Sequence, residues 1–202
     1  LGGDTNQGNE ISIHVVLFGN VKNFIRRNDA KVKDVICTTG PFGYTASALE
    51  IIMKRRKAIR SFSTKSKNLF FKPKPRLKFG QESVNYITSS MDSSDGLSSC
   101  LNELSNQSKK KFLITKIPTN DDVIEFAEKN KISLNKLVFD GGEEFELVFT
   151  VTPKNLKKIQ ILAKKNKISI FEIGHVSKGN GVFFDDGNES FKIKDNGWQH
   201  FR

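Results

Sequence analysis

The octapeptide Ser90-Met91-Asp92-Ser93-Ser94-Asp95-Gly96-Leu97 places two carboxylates and a hydroxyl within a few positions of one another. Leu97, Cys100, Leu101 and Leu104 follow at i, i+3, i+4 and i+7, the apolar stripe of an amphipathic helix. Ser94 is a good N-cap, which puts Asp92 just before that helix and Asp95 in its first turn. Backbone N–H groups at a helix start could meet phosphate, and a hard cation held by Asp92 and Asp95 could bridge to it. Asp and Ser also cap helices that bind nothing, and Asp in a first turn suits the helix dipole. The octapeptide alone leaves both readings open.

Other stretches could join it. The opening Leu1-Gly2-Gly3-Asp4-Thr5-Asn6 combines paired glycines, which let a backbone approach a ligand closely, with oxygen donors. Gly40-Pro41-Phe42-Gly43 stands between a β-branched run and a helical one, an arrangement that can offer a helix N-terminus to phosphate but lacks the Lys-Ser/Thr of a P-loop. Gly141-Gly142-Glu143-Glu144 precedes an alternating run from Phe145 to Val151, so both acids sit at the mouth of a strand. There they could bind a ligand or simply keep a strand end soluble. The end, Gly197-Trp198-Gln199-His200-Phe201, reads equally as a packed tail or as a surface for a flat ring.

The elements that must position these groups follow from periodicity and punctuation. Strands are expected at Ile11 to Phe18, Asp34 to Gly40, Phe112 to Ile117, Phe145 to Val151, Ile168 to Val176, Gly181 to Phe184 and Ser190 to Ile193. Helices are expected at Tyr44 to about Arg60, Gln81 to about Ser89, from Leu97 onward, Asp121 to Asn130 and Pro153 to Asn166. Ser61 to Lys78, with its Lys-Pro-Lys-Pro-Arg, reads as an extended basic connector or flap. A domain boundary is placed around Val21 to Phe24. The fold class is α+β: a mixed or antiparallel sheet covered by helices, preceded by a remnant of an N-terminal α+β domain.

Composition narrows the partners. Lys and Arg exceed Asp and Glu by 33 − 22, a formal charge of +11, which favours anionic ligands. The lysines are spread over helices and turns, so a solvated basic surface is favoured over a nucleic-acid groove. Cys37 and Cys100 form neither a disulfide framework nor a zinc pattern and read as core residues in a reducing compartment. No apolar run reaches membrane-spanning length, and a cytoplasmic location without membrane contact is expected. The opening without Met reads as the C-terminal portion of a longer polypeptide.

Taken in order, Gly2-Gly3-Asp4-Thr5, Gly40-x-x-Gly43, Pro75-Arg76, Met91-Asp92-x-Ser94-Asp95-Gly96-Leu97, Gly141-Gly142-Glu143 and Gly197-Trp198-x-His200-Phe201 resemble the pattern of the thiamine-monophosphate kinases. These enzymes form part of a superfamily with aminoimidazole ribonucleotide synthetase. The resemblance covers nearly the whole chain and lacks roughly a hundred residues at the start, a length consistent with a separate domain. It implies residues 1–23 as the remnant of an N-terminal ATP- and metal-binding domain and residues 24–202 as the C-terminal domain. It also implies a homodimer and transfer of the ATP γ-phosphoryl group to thiamine monophosphate, assisted by Mg²⁺ without a covalent enzyme intermediate.

On the matching positions, the resemblance implies Asp4, Asp92 and Asp95 as Mg²⁺ ligands. It implies Gly3, Asp4, Arg27 and Ser94 as nucleotide contacts, and Glu143 and Trp198 as contacts to thiamine monophosphate. Three positions depart from the pattern: Glu144 replaces Asp, Ser93 replaces an apolar residue, and Lys33 replaces glycine. Another ATP-using member of the superfamily, or a non-catalytic nucleotide-binding relic lacking its first domain, are the alternatives.

Overall fold

A computed structural model describes residue 16 and residues 18–198. Its centre is one seven-stranded sheet. The strands in chain order are β1 (Val35–Thr38), β2 (Ile87–Asp92), β3 (Lys111–Ile114), β4 (Leu147–Val151), β5 (Phe171–Ser177), β6 (Gly181–Asp185) and β7 (Ser190–Lys192). In space they run β2-β4-β1-β5-β3-β6-β7. Every pairing is antiparallel except β3 with β6, so the sheet is mixed, as expected.

Successive side chains of the inner strands enter different cores, because a strand alternates its faces. On one face, Ile36, Val148, Phe112 and Ile173 pack with Leu97, Cys100, Leu101 and Leu104 of α4 (Leu97–Ser108) and with Val138 and Phe139 of α6 (Leu134–Phe139). On the other, Cys37, Phe149 and Val151 pack with Phe79 of α3 (Leu77–Ser83) and with Ile159 and Ala163 of α7 (Pro153–Lys165). Three helices enclose a satellite core around Tyr44, Phe62 and Phe126: α1 (Tyr44–Lys54), α2 (Arg60–Phe71) and α5 (Asp121–Asn130). Polar ties close that bundle. The Tyr44 hydroxyl donates to Asp122 Oδ1 (2.5 Å), and Lys65 Nζ of α2 reaches Asp122 Oδ2 (2.8 Å).

Helix α5 is bounded as its sequence predicts, with Asn120 before it and Asp121 and Asp122 in its first turn. Two expectations are corrected. Ser61 to Lys78 is mostly helical rather than extended: Phe62 and Ser66 of α2 are buried, and only 72–76 lies between α2 and α3. The prolines and lysines mask an apolar stripe that the satellite core uses. The helix expected over Gln81 to Ser89 is instead the end of α3 followed by β2. The strand lacks apolar alternation because its hydroxyls work across the sheet: Thr88 and Ser89 each share a hydrogen bond with Thr150 Oγ1, at 2.6 and 2.8 Å. Between α5 and β4, Leu134 to Phe139 forms α6, which the sequence leaves unassigned because the helix is too short to show a period. The strand expected over Ile11 to Phe18 falls outside the described residues except for Val16 and Phe18.

Among the described residues no helix is long and apolar enough to cross a membrane.

Candidate functional site

The loop between β2 and α4 carries the two carboxylates, and its backbone is held at each step. Ser93 N–H donates to Glu146 O (2.9 Å), and Ser94 O accepts from Glu143 N–H (2.8 Å). Asp95 O accepts from Trp198 N–H (3.0 Å), and Asp92 O accepts from the Cys100 thiol (3.1 Å). With these main-chain groups satisfied, the loop does not need the carboxylates of Asp92 and Asp95 to hold its shape. No described residue donates a hydrogen bond or offers a cation to the carboxylate of Asp92 or Asp95.

The helix starts later than its sequence suggests. Gly96, not Ser94, is the cap, so Asp95 lies before the helix rather than in its first turn. The reason is a close approach. Gly96 has φ 112°, and a Cβ there would lie 3.2–3.3 Å from the carbonyl oxygens of Phe139, Asp140 and Gly141. Only glycine fits that backbone under that chain.

Gly141 and Gly142 pass between α1 and the carboxylate loop. A Cβ at Gly141 would come within 2.5 Å of Ala46 Cβ, and one at Gly142 within 2.7 Å of Ser94 O. The acids that follow point to different places. Glu143, at φ 67°, is exposed beside the loop. Glu144 Oε1 accepts from the backbone N–H groups of Gly43 (2.7 Å) and Thr45 (3.1 Å) at the start of α1. Burial pushes its carboxyl up to about 7, against the lowering effect of those donors. Glu146 is buried; it accepts from Thr39 Oγ1 (2.6 Å) and from two nitrogens of Arg76, Nε at 2.7 Å and Nη2.

Two cavities border the loop. One, of about 820 Å³, is lined by Arg27, Arg76, Asp92, Met91 and the apolar Phe24 and Leu77. The segment carrying Arg27 is seated here by a parallel bridge of Arg26 to Ser89, and by Ser108 Oγ donating to Arg27 O (3.1 Å). The Arg27 guanidinium is half-exposed and lies 3.7 Å from Glu103. The other cavity, of about 600 Å³, is lined by Ser94, Asp95, Glu143, Trp198, Leu49 and Phe70, among others. Trp198 is largely exposed there.

The structure therefore brings Ser94, Asp95, Glu143 and Trp198 to one cavity and Arg27 and Asp92 to the other. Ser94, expected alongside Arg27, lines the cavity with Glu143. Gly3 and Asp4 lie outside the described residues. The Gly40-x-x-Gly43 turn does lead into a helix, but Glu144 occupies that helix end, so it is not open to phosphate. Cys100 is no nucleophile: burial and the charge of Asp92 push its thiol up to about 12. Burial raises the Cys37 thiol as well.

Sequence reasoning missed Glu146, Arg76 as its partner and the hydroxyl of Ser93. Ser93 replaces packing with a hydrogen bond, its fully buried Oγ accepting from Glu146 N–H (2.9 Å). The Pro75-Arg76 pair was one signal that could have pointed to a fixed guanidinium. Lys33 has φ 76°, which explains why glycine suits that position.

Among the described residues no three or more His, Cys, Asp or Glu side chains are grouped to hold a metal ion. Two carboxylates without a partner among the described residues, beside open cavities, nevertheless fit a hard cation of the Mg²⁺ type, which commonly takes one or two protein carboxylates and completes its shell with water and phosphate.

No family model matches the chain. Proteins named thiamine-monophosphate kinase do match it along its length. The one from Nitrosopumilus maritimus is 48% identical over 202 residues, covering 100% of this chain and 64% of its own. The chain is homologous to the thiamine-monophosphate kinases. A second relative of that name, from Pyrococcus horikoshii, is 35% identical over 99% of the chain and 60% of its own length. The chain thus spans less than two thirds of these kinases. Among solved structures, AaThiL complexed with AMPPCP and TMP aligns at a TM-score of 0.74 and 26% identity, over 89% of this chain and 55% of that one. The hydrogenase maturation protein HypE shares the fold alone, at a TM-score of 0.63 and 14% identity.

Proposed function

We propose that the protein containing this chain transfers the γ-phosphoryl group of ATP to thiamine monophosphate, giving thiamine diphosphate and ADP. The observation that carries this reading is the loop whose two carboxylates, without a partner among the described residues, stand between two cavities. Arg27 and Asp92 would face the nucleotide's phosphates, a guanidinium suiting bidentate contact with phosphate oxygens. Asp95, Glu143 and Trp198 would face the acceptor, with the indole packing on the cationic ring. The similar protein AaThiL is complexed with AMPPCP, an ATP analogue, and TMP, which supports this pair of ligands.

In the reaction a phosphate oxygen of thiamine monophosphate attacks the γ-phosphorus. The new O–P bond forms as the bond to the β,γ-bridging oxygen breaks, and ADP leaves. Asp92, Asp95 and, from the preceding segment, Asp4 would hold Mg²⁺, which when bound neutralises the crowded phosphates. The braced backbone keeps both carboxylates in place as the ligands bind, so alignment comes from structure already formed. Glu143 would orient the acceptor.

We also read residues 1–23 as the end of a preceding domain and the working enzyme as a cytoplasmic homodimer. Exposed Phe18, Val21 and Phe24 are apolar groups that such neighbours would cover.

The test is an assay of the full-length protein with Mg²⁺, ATP and thiamine monophosphate. Stoichiometric ADP and thiamine diphosphate are expected. Hydrolysis of ATP that does not depend on thiamine monophosphate, or no turnover by folded protein, would refute the reading.

A further inference from the structure

Glu144 adjoins a residue assigned to the acceptor, yet its carboxylate turns away and enters the amino end of α1. That helix has no side-chain cap of its own; its cap residue is Gly43, at φ 102°. Both of its donors to Glu144, the N–H groups of Gly43 and Thr45, meet the same oxygen. Thr45 Oγ1 adds a third tie by donating to Gly142 O (2.6 Å). A negative group at this position also complements the helix dipole.

These contacts converge where two walls of the second cavity join. Thr45, Ala46, Leu49 and Glu50 of α1 line one part of it, and Gly141, Gly142 and Glu143 line the part beside it. At the seam, Gly141 lies so close to Ala46 that no Cβ would fit. Movement of α1 along the glycine strip would therefore change the distance from Leu49 to Glu143 and Trp198. The side chains that oppose such movement are Glu144 and, from α1 itself, Thr45.

We infer that Glu144 is a positioning residue for the acceptor cavity, a hydrogen-bond acceptor that fixes α1 against the Gly141–Glu143 strip. This rests on the reading of that cavity as the thiamine monophosphate site. The role needs a carboxylate-sized acceptor at the helix end and no contact with the reacting atoms.

The test compares wild type with Glu144→Ala and Glu144→Gln in the full-length protein, measuring thiamine monophosphate binding, AMPPCP binding and thermal unfolding. Leaving two backbone donors without their acceptor makes a loss of roughly tenfold in thiamine monophosphate affinity the expected effect of E144A, with AMPPCP affinity within about twofold. Added acetate or formate should restore much of the lost affinity by filling the vacated helix end. E144Q, which keeps an acceptor oxygen and its reach, should stay within about threefold of wild type. Two results overturn the inference: a folded E144A that binds thiamine monophosphate as tightly as wild type, or equal loss of both ligands with no rescue by a carboxylate. If E144A does not fold, an E144Q that loses AMPPCP as severely as thiamine monophosphate overturns it. Wild type that binds AMPPCP but no thiamine monophosphate defeats the acceptor reading, and this inference with it.

Discussion

The acidic residues around the two cavities fall into groups that composition treats alike. Glu144 and Glu146 have their carboxylate oxygens engaged by the protein itself, one by a helix end and the other by Thr39 and Arg76. Asp92 and Asp95 have none engaged by a described residue, while the backbone around them is tied at successive positions. In one region the side chains hold the structure. In the other the main chain does, which leaves the carboxylates available. An acid can be structural or functional within a few ångströms of a similar one, and the difference lies in what its neighbours supply.

Substitutions at the two groups should separate them. The largest effect is expected for Asp95→Asn, which should lower turnover by about a thousandfold while changing stability by less than about 0.5 kcal/mol. Turnover and urea unfolding of the same preparation check both halves. Glu146→Ala should do the reverse of the second half and destabilise the fold by about 3–5 kcal/mol, because it leaves Arg76 beside a half-filled pocket without its partner. Chemical denaturation reads this directly, and a loss below about 1 kcal/mol would remove Glu146 from the structural group.

Glu144 adds a pH signature. Its carboxyl is raised in the folded state, so between about 4.5 and about 7 the native protein holds a proton that the unfolded chain releases. Its contribution is complete below that window, falls as pH rises through it and is constant above it. Stability should drop by on the order of 1–3 kcal/mol across the window. Glu144→Gln, which cannot titrate, should flatten that part of the profile. The smallest effect is Lys33→Gly: relief of the left-handed backbone should stabilise the protein by about 0.5–1 kcal/mol without altering turnover. A matching change in melting temperature would check it.

Much of this architecture is legible in the sequence, for identifiable reasons. Helix α5 carries capping residues and a clear apolar period, so its limits can be read. Strands β1 and β4 are β-branched or alternating, and they appear where the residues place them. Strand β2 cannot be read that way, because Thr88, Ser89 and Ser90 pair through hydroxyls rather than apolar faces. In α2, the lysines and the prolines just after the helix obscure Phe62 and Leu69, and a satellite core overrides what composition suggests. At the site, residue type and spacing single out Asp92 and Asp95 as candidates, and the family resemblance adds Glu143 and Trp198. They cannot bring out the roles of Glu144 and Glu146, which depend on Gly43, Thr45, Thr39 and Arg76, partners about 70 to 107 positions away. The cap at Gly96 is equally hidden, since it depends on the chain from Phe139 to Gly141 passing above it.

The contrast between the two acidic groups is tested most directly by calorimetric titration of AMPPCP into the full-length protein with and without Mg²⁺. Wild type, Glu146→Gln and the double variant Asp92→Asn/Asp95→Asn should be compared at a temperature where all three are folded. The expected result is Mg²⁺-dependent binding that survives in Glu146→Gln and is lost in the double variant, whose melting temperature stays at the wild-type value. Undiminished Mg²⁺-dependent binding by the double variant would contradict the account.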